Sequence, residues 1–311
     1  MKGMELSKAY FEEHGRKLLD KFPQHRGDMA AGLVGEGSEC YGYDDDVSRD
    51  HDFGPGFCVW LPQRVFDVIG EAMQREYDAL PKEYMGFVRK ETPEGAGRVG
   101  IFSIECFYER YTGCRPVPAD NREWFWIPER FLSIATNGEV FLDELGEFSK
   151  ARKELLNFYP EDVWIKKLAA RVAVMAQAGQ YNYPRSTARG DFAAAYLSCG
   201  EFVSAALSAI YLLNKVYMPF YKWAFRKGEE LLWLKRSMAN LRELIGLPDN
   251  MQTAKTKEDL IEAICVEVAG ELNGRGLTSV RDDFLQNHLG ELMARIQDQR
   301  LRGLHVFADN N

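Results

Sequence analysis

The hydrophobic pattern changes period partway along the chain, and that change constrains the fold more than any other feature. Residues 1–148 mix short apolar runs, turn clusters and helical spacing, whereas residues 149–311 repeat apolar positions at i, i+3 and i+4 almost throughout. The first part reads as a mixed sheet with helices and the second as an all-α bundle, so the fold class expected is α+β, divided into domains 1–148 and 149–311. In the first part the expected elements are an opening helix over 1–22, strands over 31–34 and 53–61, and a helix over 65–80. Strands over 87–90 and 99–107 follow, then a helix and connector over 128–145 with a small strand at 140–142. In the second part helices are expected over 149–156, 163–180, 191–217, 228–245, 257–274 and 279–304, and residues 180–191 read as a polar, aromatic loop between two of them.

Charge and cysteine content narrow the function classes. With 39 Lys plus Arg against 47 Asp plus Glu, the net charge of −8 argues against non-specific attraction to nucleic acid or anionic membranes. Cysteines at 40, 58, 106, 114, 199 and 265 form no C-x-x-C pair, which reads as free thiols in a reducing cytoplasm. The most apolar stretch, 192–221, is interrupted by Glu201, Asn214 and Lys215 and is expected to be a buried helix rather than a membrane span.

The chemistry concentrates in residues 35–53, Gly-Glu-Gly-Ser-Glu-Cys-Tyr-Gly-Tyr-Asp-Asp-Asp-Val-Ser-Arg-Asp-His-Asp-Phe. On an extended segment Asp50 and Asp52 share a face and His51 points away. Paired carboxylates offer hard oxygen ligands to Mg²⁺, and Gly37-Ser38 offers a close backbone approach and a hydroxyl to a phosphate. Asp44, Asp45 and Asp46 read as a solvated acidic turn, and His288, at helical spacing with Phe284 and Leu285, as a packing residue.

Gly37, Ser38, Gly42, Asp50 and Asp52 resemble the signature of the polymerase-beta-type nucleotidyltransferase superfamily, with the Asp pair one residue farther from the serine than is usual. The run 46–55 together with 213–223 looks like a bacterial family of unknown role classed with those enzymes, over most of the chain. The resemblance implies a Mg²⁺-dependent (or Mn²⁺-dependent) enzyme that moves NMP from an NTP, ATP by preference, to a hydroxyl of an acceptor and releases pyrophosphate. It implies Asp50, Asp52 and Glu105 as catalytic metal ligands, Glu105 being the acid on a later strand that also helps take the nucleophile's proton. Gly37 and Ser38 would hold phosphates, with Arg49 a further nucleotide contact. The acceptor expected is a small molecule or a protein, with nucleic acid disfavoured by the charge. Members resembling kanamycin nucleotidyltransferase close the site with a helical domain, which nominates Tyr181, Asn182, Arg185 and Lys222 in a cleft between domains, with Gln180 where that enzyme type has a basic residue. Two other classes stay open: a catalytically silent nucleotide-binding regulator and an antitoxin-like interaction protein.

Overall fold

The structure, a computed structural model, describes residues 1–48, 53–89, 95 and 97–309. It combines α and β structure, mostly helix with a small mixed sheet, in two compact units: Met1–Ala119 with Phe131–Asn157, and Asp120–Arg130 with Phe158–Asn311.

The first unit is built on β1 (Ala30–Leu33), β2 (Cys58–Leu61), β5 (Gly100–Ser103) and β6 (Glu139–Asp143), beside a small hairpin of β3 (Glu83–Tyr84) and β4 (Phe87–Val88). The sheet order is β5-β2-β1-β6. β1 runs antiparallel to β2, with Ala30 opposite Trp60 and Gly32 opposite Cys58, while β2 and β5 are parallel, Cys58 beside Gly100 and Leu61 beside Ser103. Both central strands are buried along their whole length, so both faces must be covered. Val59 and Leu61 join the cluster of Phe11, Ile69, Met73 and Tyr77 on one face. On the other, Trp60 stacks on Phe148 at 3.9 Å and meets Phe107 edge-on. The helix Gln63–Asp78 buries Val65, Ile69, Met73 and Tyr77, a four-residue spacing that keeps them on one stripe.

Two strand expectations are corrected here. The strand expected over 53–61 forms only from Cys58: Gly54 packs against the Arg89 backbone, where a Cβ would come within 2.5 Å of the Arg89 Cα, and Pro55 has no N–H for a ladder. The strand expected over 99–107 stops at Ser103, whose Oγ accepts from Cys106 N and caps the helix Ile104–Thr112.

The second unit is helical. Glu161–Val174 passes into a π-helical stretch, Met175–Asn182, and then into Tyr183–Ala188, so the loop expected over 180–191 is largely helix. Gly179 lets this stretch pack closely, since a side chain there would strike the Phe202 ring and Ile261. The helix Phe192–Asn214 is long and apolar enough to span a membrane by length and composition, against the sequence reading, yet 61% of its apolar window is buried inside the protein. Of the helix expected over 228–245 only Lys235–Gly246 forms; Gly228 instead ends a preceding helix, Tyr221–Gly228, and the break between the two closes at the left-handed Leu234 (φ +62°). Asn214 organises that break: its Oδ1 accepts from Leu232 N and Trp233 N. Instead of one helix over 279–304 there are two short ones, Leu289–Arg295 and Gln299–Gly303, preceded by a 3₁₀ turn. His288 is buried as expected, bonded through Nδ1 to the Thr278 hydroxyl and through Nε2 to Asp282 O, both at 2.8 Å.

Candidate functional site

Leaving β1, the chain turns through residues 35–43 under tight backbone control. Asn137 clamps the entrance, accepting from Gly35 N at 3.0 Å and donating to Gly35 O at 2.7 Å. Arg152 steadies that clamp by donating to the carbonyls of Thr136, Asn137 and Gly138. Ser38–Tyr41 form a 3₁₀ turn that ends at Gly42, whose φ of +70° is left-handed and favours glycine. Tyr41 bonds the Ser133 hydroxyl, and Gly138 N donates to Cys40 O. Ser38 is half-buried and Gly37 buried. The Glu39 carboxylate folds back over Gly37 and occupies the place a side chain there would take.

Beyond the turn the acidic run divides. Asp44 is 1% exposed, accepts from Gly3 N at 2.9 Å and pairs with Lys2, so it anchors the opening helix Gly3–Tyr10; the expectation of a solvated turn fails for this residue. Asp45 and Asp46 are exposed, and Asp45 accepts from Val47 N and Ser48 N in a local turn. Arg49, Asp50, His51 and Asp52 lie outside the described residues.

The antiparallel β1/β2 pairing puts the exit of β1 and the approach to β2 at the same end of the sheet. A cleft of about 570 Å³ opens there. Its lining includes Leu33, Glu39, the segment 53–56 that follows Asp52 in the chain, Gln74 and Asp78 from the helix Gln63–Asp78, and Lys82, Arg89 and Arg98. Gln74 ties helix to sheet, accepting from Ile101 N and donating to Asp78. Arg98 pairs with Glu36 at 3.6 Å and Arg110 with the same carboxylate at 3.4 Å, which brings two guanidinium groups to the loop that sequence reasoning missed. Arg98 stands at the entry to β5 and Arg110 in the last turn of its helix. The i, i+3, i+4, i+7 spacing of Ile104, Phe107, Tyr108 and Tyr111 was the signal for that helix.

Glu105 is not brought to this end. It lies in the first turn of the helix Ile104–Thr112 rather than on a strand, and the parallel β2/β5 register sets that turn next to Leu61. Cys58 to Leu61 is three strand steps, roughly 10 Å at about 3.3 Å each. The helix then runs back so that Arg110, not Glu105, meets Glu36. Glu105 Oε2 is buried without a hydrogen-bond partner among the described residues. Nor do the described residues contain a group of three or more His, Cys, Asp or Glu that could hold a metal ion. The described residues do not by themselves build a divalent-cation site.

All six cysteines are free thiols. Burial pushes the thiols of Cys40 and Cys58 up, Cys58 to about 12, so neither is a nucleophile near neutral pH.

The candidates in the helical unit fall on separate elements. Tyr181 and Asn182 end the π-helical stretch, and the Arg185 guanidinium stacks 3.9 Å from the Tyr181 ring centroid. Lys222 is in the first turn of Tyr221–Gly228, 5.2 Å from the Trp223 ring. Gln180 is structural: it donates to Glu262 and Asp283 O and accepts from Leu285 N.

A family model described as a domain of unknown function, DUF4037, matches residues 124–224. Among solved structures, the chain is similar to a nucleotidyltransferase-like protein from Exiguobacterium sibiricum, at 11% identity and a TM-score of 0.40, over 93% of this chain and 81% of that one. No curated protein matches.

Proposed function

We propose that the chain binds a nucleoside triphosphate at the end of the sheet where β1 exits and β2 begins, and transfers its nucleotidyl group to an acceptor hydroxyl with release of pyrophosphate. One observation carries this reading: the strand pairing brings Glu39 of the glycine-serine loop and the segment that follows Asp50-His51-Asp52 to one cleft lined by Lys82, Arg89 and Arg98. Three cations, two from the base of the β3–β4 hairpin and one from the entry to β5, suit a polyphosphate. On this reading Asp50 and Asp52 hold Mg²⁺ or Mn²⁺, which would supply charge neutralisation to the phosphates. Gly37 and Ser38 meet the leaving pyrophosphate, with Arg49 beside them. Arg98 joins these contacts, and Glu105 is left out of the metal set. ATP is the preferred donor, and the acceptor is a small molecule or a protein. Tyr181, Asn182, Arg185 and Lys222 stay as proposed acceptor or nucleotide contacts. The test is pyrophosphate release from each of the four NTPs with Mg²⁺ and a panel of hydroxyl acceptors. Release with at least one NTP is expected, and binding of none of the four, with or without metal, would sink the reading.

A second reading, nucleotide binding without turnover, is favoured by the Glu39 carboxylate over Gly37, since it puts a negative charge where a phosphate would approach the backbone. Glu39→Gln separates the two. Under the first reading the substitution tightens NTP binding a few-fold and turnover persists; under the second, binding tightens and no pyrophosphate appears.

A further inference from the structure

The helix Glu161–Val174 carries two lysines, Lys166 and Lys167, whose residues are 0% exposed. Lysines are almost never fully buried without a partner. Here the partner is residues 305–309, a segment without helix or strand. Lys166 Nζ donates to the carbonyls of His305, Val306 and Ala308 at 2.9 to 3.1 Å. Lys167 Nζ meets the Asp309 carboxylate at 2.9 Å, and Arg171, one turn along, pairs with its other oxygen. Phe125 and Tyr159 floor the slot, their ring centroids 5.4 and 5.2 Å from Lys167 Nζ. The Glu129 carboxylate also faces Arg171 and Lys167; it is fully buried and bonded to the Ser208 hydroxyl.

We propose that Lys166, Lys167 and Arg171 form a site for a phosphate-class anion that the chain's own 305–309 segment holds closed. The strap itself brings one carboxylate, with one negative charge and two oxygens, to the three cations beside the buried Glu129, whereas a phosphate in its place brings more charge and three acceptor oxygens to two ammonium groups and a guanidinium fork. Within the segment Ala308 N donates to His305 O, and its hold on the bundle includes the same cations that the anion would take. Tethering makes the strap an intramolecular competitor, which lowers the apparent anion affinity by the fraction of molecules in the open state. Burial also depresses Lys166 to about 8, the cost that a stronger anion would offset. None of this depends on nucleotide transfer in the first unit.

Hydrogen exchange on the full chain tests the proposal, with inorganic phosphate compared against chloride at equal ionic strength. Amides of 305–309 are expected to exchange faster in phosphate while those of Ala254–Gly274 do not change. In Asp309→Asn, phosphate affinity should rise about tenfold because the competitor is weakened, and adding Arg171→Gln should remove the gain. ATP without metal in place of phosphate distinguishes the sources: opening by ATP alone assigns the slot to a nucleotide phosphate, and opening by both assigns it to the free anion. Strap amides that respond to neither anion in the wild-type chain would overturn the proposal, whether or not Asp309→Asn folds.

Discussion

The two ends of the four-stranded sheet are made of similar material and offer different chemistry. At one end, β1 releases a glycine-serine turn clamped by Asn137, and Glu36 gathers Arg98 and Arg110 beside a cleft. At the other, β5 passes at once into a capped helix, and Glu105 sits half-buried in its first turn. Both ends have a half-buried carboxylate, Glu36 at one and Glu105 at the other. What separates them is strand direction: antiparallel pairing gathers an exit and an entrance at one end, while the parallel partner carries its following residues to the opposite end. A lone acid in an apolar run therefore says little about a site until the direction of its strand is known.

The largest effect that would sharpen this contrast comes from the acid pair. Asp50→Asn or Asp52→Asn should abolish pyrophosphate release with little change in melting temperature, and near wild-type release at saturating Mg²⁺ would break the assignment. Next is the loop itself: Ser38→Ala should reduce kcat/KM for NTP by about 1 to 3 kcal/mol, the range for a hydrogen bond to a charged group. Unchanged kinetics would remove Ser38 from the site. The clamp comes third, since Asn137→Ala deletes two hydrogen bonds to Gly35. It should lower stability by about 1 to 3 kcal/mol and raise KM for NTP more than it lowers kcat; a stability loss with unmoved KM would mean that the loop needs no clamp to bind. The smallest effect is expected at the far end, where Glu105→Gln should leave kinetics within about 0.5 kcal/mol, as for a substitution away from the chemistry. A loss of turnover like that of the Asp variants would return Glu105 to the metal set.

Much of this was legible in the sequence where a single stripe of side chains decides the element. The helix Gln63–Asp78 and the buried β1 follow from the spacing of Val65, Ile69, Met73 and Tyr77 and from the apolar run at 31–34. Errors arose where one polar side chain redirects the backbone. The Ser103 hydroxyl converts an apolar, strand-like run into a helix, and Asn214 fixes a break eighteen residues downstream. In the helical unit a π-helical stretch and the short helix after it take up most of what reads as a polar loop. The glycine-serine turn was visible as a motif, whereas its support by Asn137 joins residues 102 positions apart and leaves no local signal. The strap over Lys166 and Lys167 is similarly silent, because a pair of lysines within a helix ordinarily marks a solvated face.

The most direct measurement is a crystal structure of the full chain with a non-hydrolysable ATP analogue and Mg²⁺. The expected result places the triphosphate against the Gly37 backbone and the Ser38 hydroxyl, with Arg98 in reach and Glu105 touching neither nucleotide nor metal. A triphosphate seated at the opposite end of the sheet, beside Leu61 and Glu105, would contradict the assignment.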